Sequence, residues 1–484
     1  MSFEPAYHFT PPKNWMNDPN GMVYYKGEFH LFYQHYPHGL NWGAMHWGHA
    51  VSKDLISWKH LPIALFPDKH GTIFSGSAVA DIANTSGFAS GDEKVLVAIF
   101  TYFKWGLQRQ GIAYSTDCGR TWIPYKNNPV IKNPFRVHFR DPKVFWHKES
   151  ALWVMVLSAG NCIRFYTSPD LKIWKYVSSF GKKEGSHGSV WECPDLFPLA
   201  VDGNTQDIKW VLLVSVKQKA PNGGSGTQYF IGSFDGTRFI NDNSPDTILW
   251  LDYGKDNYAG VTWSDVPEND GRRLFIAWMS NWQYAAKTPA DTFRGEMTLP
   301  RELTLSQKSG RVRLVQKIVR EIDSHFETPF YEEENLSIKR SSYIVPEKFN
   351  SGAFMLTMRV KNNAACFDIV CSNDRDENVR ITCDMLHKTY SIDRTCSSSS
   401  VFSTHFFGVH TAPFLGEESG SIEFELYFDR TSVECIACGG LLSITELVFP
   451  AEPFSRVELS VPDNVVLVEK IKLRGVHHES VAAR

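Results

Sequence analysis

The chain alternates between short hydrophobic segments and polar breaks over most of its length. The hydrophobic segments are rich in Val, Ile, Phe, Tyr and Trp, and Gly, Asn, Asp or Pro separate them, which is typical of β-strands joined by turns. The clearest segments in the first part of the chain are residues 22–25, 29–33, 95–100, 152–157, 210–216 and 274–279. We find no amphipathic helix of three or more turns in the first 320 residues. The pattern therefore predicts an all-β fold for this part.

A polar turn followed by an aromatic residue recurs along this first part. The four copies are residues 52–58 (SKDLISW), 115–122 (STDCGRTW), 168–174 (SPDLKIW) and 233–239 (SFDGTRF). Their Asp residues are 63, 53 and 65 positions apart, which indicates repeated β units. Such units form the blades of a β-propeller, and the strand-rich stretch 250–310 brings the expected number to about five. The alternative is common hairpin chemistry, in which Asp caps a turn.

An acidic stretch separates a second part of the chain from the first. Residues 321–335 are polar and include three consecutive glutamates at 332–334, so we interpret them as a linker. Alternating hydrophobic segments then return at residues 354–360, 366–371, 422–428, 443–448 and 457–461. They predict a β-sandwich. The expected organisation is a propeller at 1–320, the linker at 321–335 and a sandwich with a supporting role at 336–484.

Composition and charge exclude several classes of protein. Of the 484 residues 43% are hydrophobic and 21% charged, the formal net charge is -3, and no run of Lys or Arg favours nucleic acid. No apolar stretch reaches the ~18–20 residues of a membrane span. The first twelve residues have no signal-peptide pattern, so we expect an extracellular protein whose signal was removed, or a cytoplasmic one. The nine Cys leave this open, and Cys435 and Cys438 lack the second CxxC pair of a zinc site.

Three acidic residues occupy similar surroundings in distant segments. They are Asp18 in residues 14–21 (NWMNDPNG), Asp141 in 139–142 (FRDP) and Glu192 in 190–197 (VWECPDLF). Each lies in a Pro-containing turn flanked by aromatic residues and beside a predicted strand. Because the innermost strands of a propeller converge at its axis, acids from different blades can meet there.

A set of carboxyl groups of this kind suits glycoside cleavage. One carboxylate attacks the anomeric carbon, and a second carboxyl protonates the leaving oxygen and later activates water. The two lie ~5–5.5 Å apart in retaining enzymes and ~6.5–9.5 Å apart in inverting ones. Crowded carboxylates raise the pKa of one member, which can keep a Glu protonated near neutral pH. Taken singly, Asp18 could be a turn residue, Asp141 a partner of Arg140, and Glu192 a loop cap.

At these three motifs the chain resembles glycoside hydrolase family 32, which contains invertases, fructan exo-hydrolases and related fructosyltransferases. Residues 15–21 (WMNDPNG) resemble the nucleophile motif, 140–142 (RDP) the transition-state motif and 192–195 (ECPD) the acid/base motif. The resemblance extends in order over nearly all of the first 305 residues. Further matches are residues 33–34 (YQ), 42–43 (WG), 74–77 (FSGS), 224–229 (GSGTQY), 252–254 (DYG), 256–259 (DNYA), 278–282 (WMSNW) and 299–303 (LPREL).

The resemblance implies a five-bladed propeller followed by a β-sandwich, and net retention through a covalent fructosyl-enzyme without a metal or organic cofactor. It implies Asp18 as nucleophile, Asp141 as transition-state stabiliser and Glu192 as acid/base. Asp195 is expected to support the site and to bind sugar hydroxyls. The resemblance also implies that the fructose subsite contains Asn17, Gln34, Trp42, Phe74, Ser75, Arg140, Tyr258 and Trp282.

The substrate expected from the resemblance is sucrose and probably a β-fructan such as inulin or levan. Residues 46–52 (HWGHAVS), 71–77 (GTIFSGS) and 185–191 (GSHGSVW) are similar to exo-acting levanases and inulinases of the family. Preference among the three sugars stays open, as does the balance between hydrolysis and fructosyl transfer. A catalytically silent binding protein is the alternative from another class, and the presence of all three acids argues against it.

Overall fold

Strands make up almost all of the regular structure in this computed structural model, which describes residues 3–90, 94–308, 310–346, 352–361, 366–398, 400–415 and 420–477. Short 3-10 helices are present at Ala285–Lys287, Arg320–His325 and Cys438–Gly440. Among the described residues, no helix is long and apolar enough to cross a membrane. The all-β prediction is confirmed.

The first part of the chain forms five antiparallel sheets in sequence order, of which the last two are joined by a parallel pairing of Val201 with Leu305. The first three are β1 (Asn14–Tyr25), β2 (Glu28–Tyr36), β3 (His46–Ser52) and β4 (Lys59–Leu65); β5 (Thr72–Asp81), β6 (Val95–Lys104), β7 (Leu107–Ser115) and β8 (Ile123–Pro124); and β9 (Arg140–His147), β10 (Leu152–Ser158), β11 (Ile163–Ser168) and β12 (Lys175–Phe180). The fourth is β13 (Trp191–Val201), β14 (Asn204–Val216), β15 (Gly226–Phe234) and β16 (Phe239–Asn241), with β17 (Leu249–Trp250) beside β15. The fifth contains β18 (Tyr258–Thr262), β19 (Arg273–Met279), β22 (Arg301–Lys308) and β23 (Arg311–Ile318). The short β20 (Phe293–Arg294) pairs with β1 of the first sheet, and the short β21 (Glu296–Met297) pairs with β19.

The five sheets close into a ring. The first strands β1, β5, β9, β13 and β18 contact one another in this order, and β18 returns to contact β1. Apolar residues fill the space between neighbouring sheets, as Val156 and Phe165 of the third sheet do against Leu212 and Phe230 of the fourth. This ring is the five-bladed propeller that the sequence predicts. Because consecutive strands are antiparallel, the first strands begin at the same end of the ring as the turns between second and third strands.

The recurrent sequence segment forms the turn between the third and fourth strands in four successive blades. In the third blade, Asp170 Oδ1 accepts hydrogen bonds from the backbone N–H groups of Lys172 (2.9 Å) and Ile173 (2.8 Å). The indole of Trp174 donates to the carbonyl of Leu171 (2.9 Å). The equivalent bonds recur around Asp54 and, in a variant form, around Asp117 and Asp235. These turns lie at the end of the ring opposite to where the first strands begin.

The second part of the chain is a sandwich of two six-stranded antiparallel sheets, which confirms the predicted architecture. The first sheet has the order β24-β35-β26-β31-β32-β33 and the second the order β25-β34-β27-β28-β29-β30. Their strands are β24 (Tyr331–Lys339), β25 (Ser342–Ile344), β26 (Phe354–Lys361), β27 (Phe367–Ser372), β28 (Asn378–Asp384), β29 (Thr389–Asp393), β30 (Val409–Pro413), β31 (Ser421–Asp429), β32 (Ser432–Ala437), β33 (Leu442–Leu447), β34 (Arg456–Ser460) and β35 (Val465–Gly475).

The predicted linker at 321–335 is wrong in its second half. Its glutamates lie on β24, an edge strand of the sandwich that pairs with β35. Lys470 of β35 forms ion pairs with Glu332 and Glu334, so the charges face each other across two strands. The first half of the segment is the 3-10 helix Arg320–His325. The predicted ends of the two domains, residues 1–2 and 478–484, lie outside the described residues.

Buried charged groups join the two domains. Arg301 of β22 donates to Glu434 of β32 at 2.5 Å. The other carboxylate oxygen of Glu434 lies 2.9 Å from His8 Nε2, and His8 Nδ1 lies 2.8 Å from Asp429. All four side chains are buried. The N-terminal segment, the fifth blade and the sandwich therefore share one ion cluster.

Candidate active site

The three predicted acids meet at the end of the ring where the first strands begin. Asp18, Asp141 and Glu192 lie near the starts of β1, β9 and β13, and their side chains open into one cavity of about 580 Å³. The cavity is lined by Asn17, Asp18, Gln34, Trp42, Phe74, Ser75, Phe103, Gly106, Gln108, Val137, His138, Arg140, Asp141, Glu192, Lys217 and Trp282.

Asp18 is held by neutral donors. Asn17 Nδ2 donates to its Oδ1 (2.8 Å) and Ser75 Oγ donates to its Oδ2 (2.8 Å). Asn17 is itself fixed, because its Oδ1 accepts the indole N–H of Trp15 (2.7 Å). Burial, assisted by the nearby charge of Glu192, raises the pKa of Asp18, and the two donors oppose this rise.

Asp141 lies on strained backbone beside Cys193. Its φ of 63° is in the left-handed region, which non-glycine residues adopt rarely. The backbone N–H of Cys193 donates to Asp141 Oδ2 (3.1 Å), and Cys193 Sγ lies 3.7 Å from the same oxygen and 3.5 Å from Asp18 Oδ2. Burial together with Glu192 and Asp18 raises the pKa of Asp141 to about 7, against the opposing charge of Arg140. Asp18 and Asp141 thus converge on one thiol.

Glu192 has two strong donors. Arg140 Nη2 donates to its Oε1 (2.6 Å), and the hydroxyl of Tyr258 donates to its Oε2. Burial favours the protonated acid, but the Arg140 guanidinium and the Tyr258 hydroxyl outweigh it and lower the pKa of Glu192. Placing carboxyl groups together therefore does not raise the pKa of Glu192; the raised pKa values belong to Asp18 and Asp141.

Aromatic rings form the walls of the cavity. Phe74 packs edge-to-face with Trp42 (centroids 5.9 Å apart) on one side and is stacked on Phe103 (4.8 Å) on the other. Trp282 lines the cavity and stacks on the buried Trp15 (6.2 Å). Rings in these positions exclude water from the acids and offer flat apolar surfaces to a sugar.

Two family profiles match nearly the whole chain. The profile described as "Glycosyl hydrolases family 32 N-terminal domain" matches residues 8–317, and the one described as "Glycosyl hydrolases family 32 C terminal" matches residues 322–474. The chain belongs to glycosyl hydrolase family 32. The resemblance inferred from the motifs is confirmed, and this member of family 32 is a glycoside hydrolase.

Individual relatives of this family 32 chain agree with the assignment. It is 49% identical over 475 residues to a levanase from Bacillus subtilis, covering 97% of this chain and 70% of the levanase. Among solved structures it is similar to an exo-inulinase from Aspergillus awamori, with a TM-score of 0.92, 34% identity and 99% of both chains covered. It is also similar to a β-fructofuranosidase from Schwanniomyces occidentalis complexed with fructosyl-erythritol, with a TM-score of 0.89, 31% identity and 97% of both chains covered.

Most residues predicted for the family 32 sugar site line the cavity, but two do not. Tyr258 is buried behind Glu192 and reaches the cavity only through that carboxylate. Asp195 accepts hydrogen bonds from Lys143 (3.1 Å) and from the backbone N–H of Thr262 (2.6 Å), and it does not line the cavity. Asp195 is thus placed to brace the blades around the site.

Several lining residues were not predicted from the sequence. Gln108 accepts hydrogen bonds from the Phe139 N–H (2.6 Å) and from Arg140 (3.3 Å), and His138 accepts from Arg140 (2.9 Å). The Lys217 ammonium lies 5.0 Å from the Trp282 ring. His138 lies two residues before Arg140 of the RDP motif, so proximity in sequence could have identified it. Gln108 lies on β7 and Lys217 directly follows β14, in sequence that carries no such signal.

One buried amide at the cavity has unsatisfied hydrogen-bonding capacity. Gln34 of β2 lines the cavity and is buried, and within the described part of the chain its Nε2 has no hydrogen-bond partner. A buried amide without a partner costs free energy. In the same described residues, no group of three or more His, Cys, Asp or Glu side chains is arranged to hold a metal ion.

Proposed function

We propose that this chain is a retaining β-fructofuranosidase. It hydrolyses terminal non-reducing β-D-fructofuranosyl residues from sucrose and from β-fructans such as inulin and levan. The observation that carries the proposal is the meeting of three carboxyl groups in one aromatic-walled cavity, where Asp141 is buried and Asp18 and Glu192 are half-buried. The levanase, the exo-inulinase and the β-fructofuranosidase to which the chain is similar support fructose as the bound sugar.

Asp18 is the proposed nucleophile. Two neutral donors orient its carboxylate without neutralising it, and an oriented anion in a dry cavity is a good nucleophile toward the anomeric carbon. Attack forms a covalent fructosyl ester on Asp18 and breaks the bond to the leaving oxygen. Water then attacks the same carbon, and the fructose leaves with its original configuration.

Glu192 is the proposed acid/base. It protonates the leaving oxygen in the first step and removes a proton from the attacking water in the second. Arg140 and Tyr258 fix the position of its carboxyl group. Both contacts also favour the carboxylate anion, so Glu192 has to carry a proton when it acts as the acid. We propose that Asp141 stabilises the oxocarbenium-like transition state through sugar hydroxyls.

The stereochemistry of transfer tests the mechanism. Sucrose is incubated with the enzyme in the presence of methanol, and the anomeric configuration of the methyl fructoside is read by NMR. We expect methyl β-D-fructofuranoside, because two inversions at the anomeric carbon restore the starting configuration. A methyl α-fructoside would contradict the covalent intermediate, and trisaccharides as main products from concentrated sucrose would indicate a transferase.

Substitution of the acids tests their roles. We expect Asp18→Ala and Glu192→Ala each to lower kcat by at least ~10³-fold, because nucleophilic attack and proton transfer are lost. Asp246→Ala removes an exposed carboxylate outside the cavity and serves as the control. Azide should restore part of the activity of Glu192→Ala on substrates with good leaving groups. Near-normal turnover in either active-site variant would overturn the assignment.

We also propose that the enzyme acts outside the cell. Fructan polymers cannot cross a membrane unaided, so an enzyme that trims them meets its substrate there. The opposing observation is that all nine cysteines are free thiols, as in cytoplasmic proteins. Sucrose-splitting activity is measured in culture fluid and in lysed cells; activity confined to the lysate would favour the cytoplasmic alternative.

A further inference from the structure

Two bulky apolar side chains project into solvent beside the mouth of the cavity. Trp105 is 88% exposed and Phe135 is 98% exposed. Trp105 and Gly106 form the turn between β6 and β7, where Lys104 pairs with Leu107, and Gly106 lines the cavity. Phe135 lies two residues before Val137, which also lines the cavity. Both exposed rings are therefore within two residues of positions that line the catalytic cavity.

Both rings lie on backbone that favours other residues. The φ of Trp105 is 53° and that of Phe135 is 63°, in the left-handed region where Gly and Asn are preferred and bulky residues are rare. A two-residue hairpin turn such as 105–106 would be more stable with Asn at its first position. Neither ring compensates by packing in the core. Neither the turn geometry nor core packing therefore accounts for a bulky aromatic ring at positions 105 and 135.

Hydrogen bonds anchor both exposed segments to the active site: the first loop is the turn with Trp105, and the second loop is the segment with Phe135 that precedes β9. Gln108, three residues after Trp105, accepts hydrogen bonds from Phe139 and from Arg140 at the end of the second loop. Asn133 closes that loop through reciprocal bonds with the backbone of Arg136 (2.6 and 2.8 Å). The Lys104 ammonium lies 4.5 Å from the Trp105 ring and steadies it. The rings are thus presented on supported turns at the cavity end of the propeller.

We propose that Trp105 and Phe135 form an outer binding surface for a fructan chain whose terminal unit occupies the cavity. This inference rests on the proposed function. When the terminal fructosyl unit is bound beside Asp18, the rest of a polymer has to leave through the cavity mouth and pass over its rim. Exposed aromatic rings bind the C–H faces of sugars. Sucrose has only one unit beyond the scissile bond, so the surface favours polymeric substrates over sucrose.

Single and double alanine substitutions test the surface. The values of kcat/KM for levan, inulin and sucrose are measured for the wild type, Trp105→Ala, Phe135→Ala and the double variant. We expect each single substitution to lower kcat/KM for at least one fructan roughly three- to tenfold, mainly through KM, since one ring contact is lost. For sucrose, kcat/KM should change by less than about twofold, as for other surface substitutions.

A matched control lies at the other end of the propeller. Ile173 is 72% exposed and belongs to the turn between β11 and β12, so Ile173→Ala should affect neither substrate class. Equal losses for sucrose and fructans, or no loss for either fructan, would overturn the proposal. So would a dimer in sedimentation velocity that Trp105→Ala dissociates while fructan hydrolysis persists, because a second copy would then be the occupant.

A second measurement separates this proposal from the proposed function. Native electrophoresis through gels with and without levan or inulin reports fructan binding without requiring catalysis. Retardation of the wild type by a fructan, lost in the double variant, would support the surface even if no sugar were hydrolysed. Normal sucrose hydrolysis with equal retardation of wild type and double variant would overturn the surface alone.

Discussion

At the scale of single residues, burial and the neighbouring donors set the pKa values of the three acids in opposite directions. Burial near another acid raises the pKa values of Asp18 and Asp141. The guanidinium of Arg140, 3.7 Å from Asp141, opposes the rise at Asp141. Glu192 has two strong donors and a lowered pKa. A nucleophile with a raised pKa and an acid with a lowered one give a narrow range of active pH.

Substitution of Tyr258 should move the alkaline limb of the profile of kcat/KM against pH. Its hydroxyl donates to the Glu192 carboxylate and so lowers the pKa of that group. Cleavage needs protonated Glu192, so activity falls as pH rises through this pKa. We expect Tyr258→Phe to raise the pKa of Glu192 and to move the alkaline limb of kcat/KM against pH to higher pH.

The acid limb serves as the internal reference for this prediction. It belongs to ionisation of Asp18, which Tyr258 does not contact through a hydrogen bond, and it should move less than the alkaline limb. A merely structural role of Tyr258 would lower kcat without displacing either limb. An alkaline limb that moved to lower pH would show that the hydroxyl does not stabilise the Glu192 anion.

The three acids could be predicted from the sequence because each lies in an unusual short motif. Lining residues outside such motifs could not be predicted. Asp18, Asp141 and Glu192 occupy turns that pair an acid with Pro and aromatic neighbours. Gln108 and Lys217 reach the cavity only because the ring closes, which depends on packing between distant strands. Local sequence signals carry no information about such long-range placement.

At the scale of secondary-structure elements, the propeller was predictable because its turn repeats. The alternative reading of the repeat as ordinary hairpin chemistry describes the bonds correctly, since Asp does cap each turn, but misses that four copies occupy equivalent places. The interpretation of residues 332–334 as part of a linker was wrong for a related reason. The lysine that neutralises Glu332 and Glu334 is Lys470, on a strand far along the chain.

The turn of the third blade tests how much one copy of the repeat contributes. Asp170→Ala leaves the N–H groups of Lys172 and Ile173 without their acceptor. We expect a loss of about 1 kcal/mol or more in the free energy of unfolding, measured by urea denaturation, with kcat and KM for sucrose retained because the turn lies opposite the cavity.

Asp170→Asn is the matched variant for the turn, because its side-chain oxygen can still accept both hydrogen bonds. It should recover most of the lost stability. Equal destabilisation by Ala and Asn would mean that charge, not the cap, stabilises the turn. A large fall in kcat in either variant would contradict the assignment of this end of the propeller as remote from catalysis.

At the scale of the whole molecule, buried charges hold the catalytic ring against the sandwich. His8 contacts Asp429 and Glu434, and Arg301 shares Glu434 with it. A buried ion loses much hydration, so removing one partner is costly even where the complete cluster adds little. The N-terminal segment is thereby fixed to the sandwich beside the fifth blade, so we expect the stability of the first domain to depend on the second.

His8 makes this dependence measurable through pH. Burial opposes its charge, but hydrogen bonds to Asp429 and Glu434 raise its pKa to about 10. A raised pKa stabilises the fold fully below the unfolded value of about 6.5 and progressively less as pH approaches 10.

His8→Gln should therefore lower the free energy of unfolding by about 3 kcal/mol at pH 6 and by much less at pH 10. Burial raises the pKa of Glu296 to about 8 against the charge of His8, so the pKa of Glu296 should rise further in His8→Gln. Exposed His405→Gln is the control. A difference between His8→Gln and wild type that stayed constant from pH 6 to pH 10 in urea denaturation would show that His8 is neutral in the folded protein.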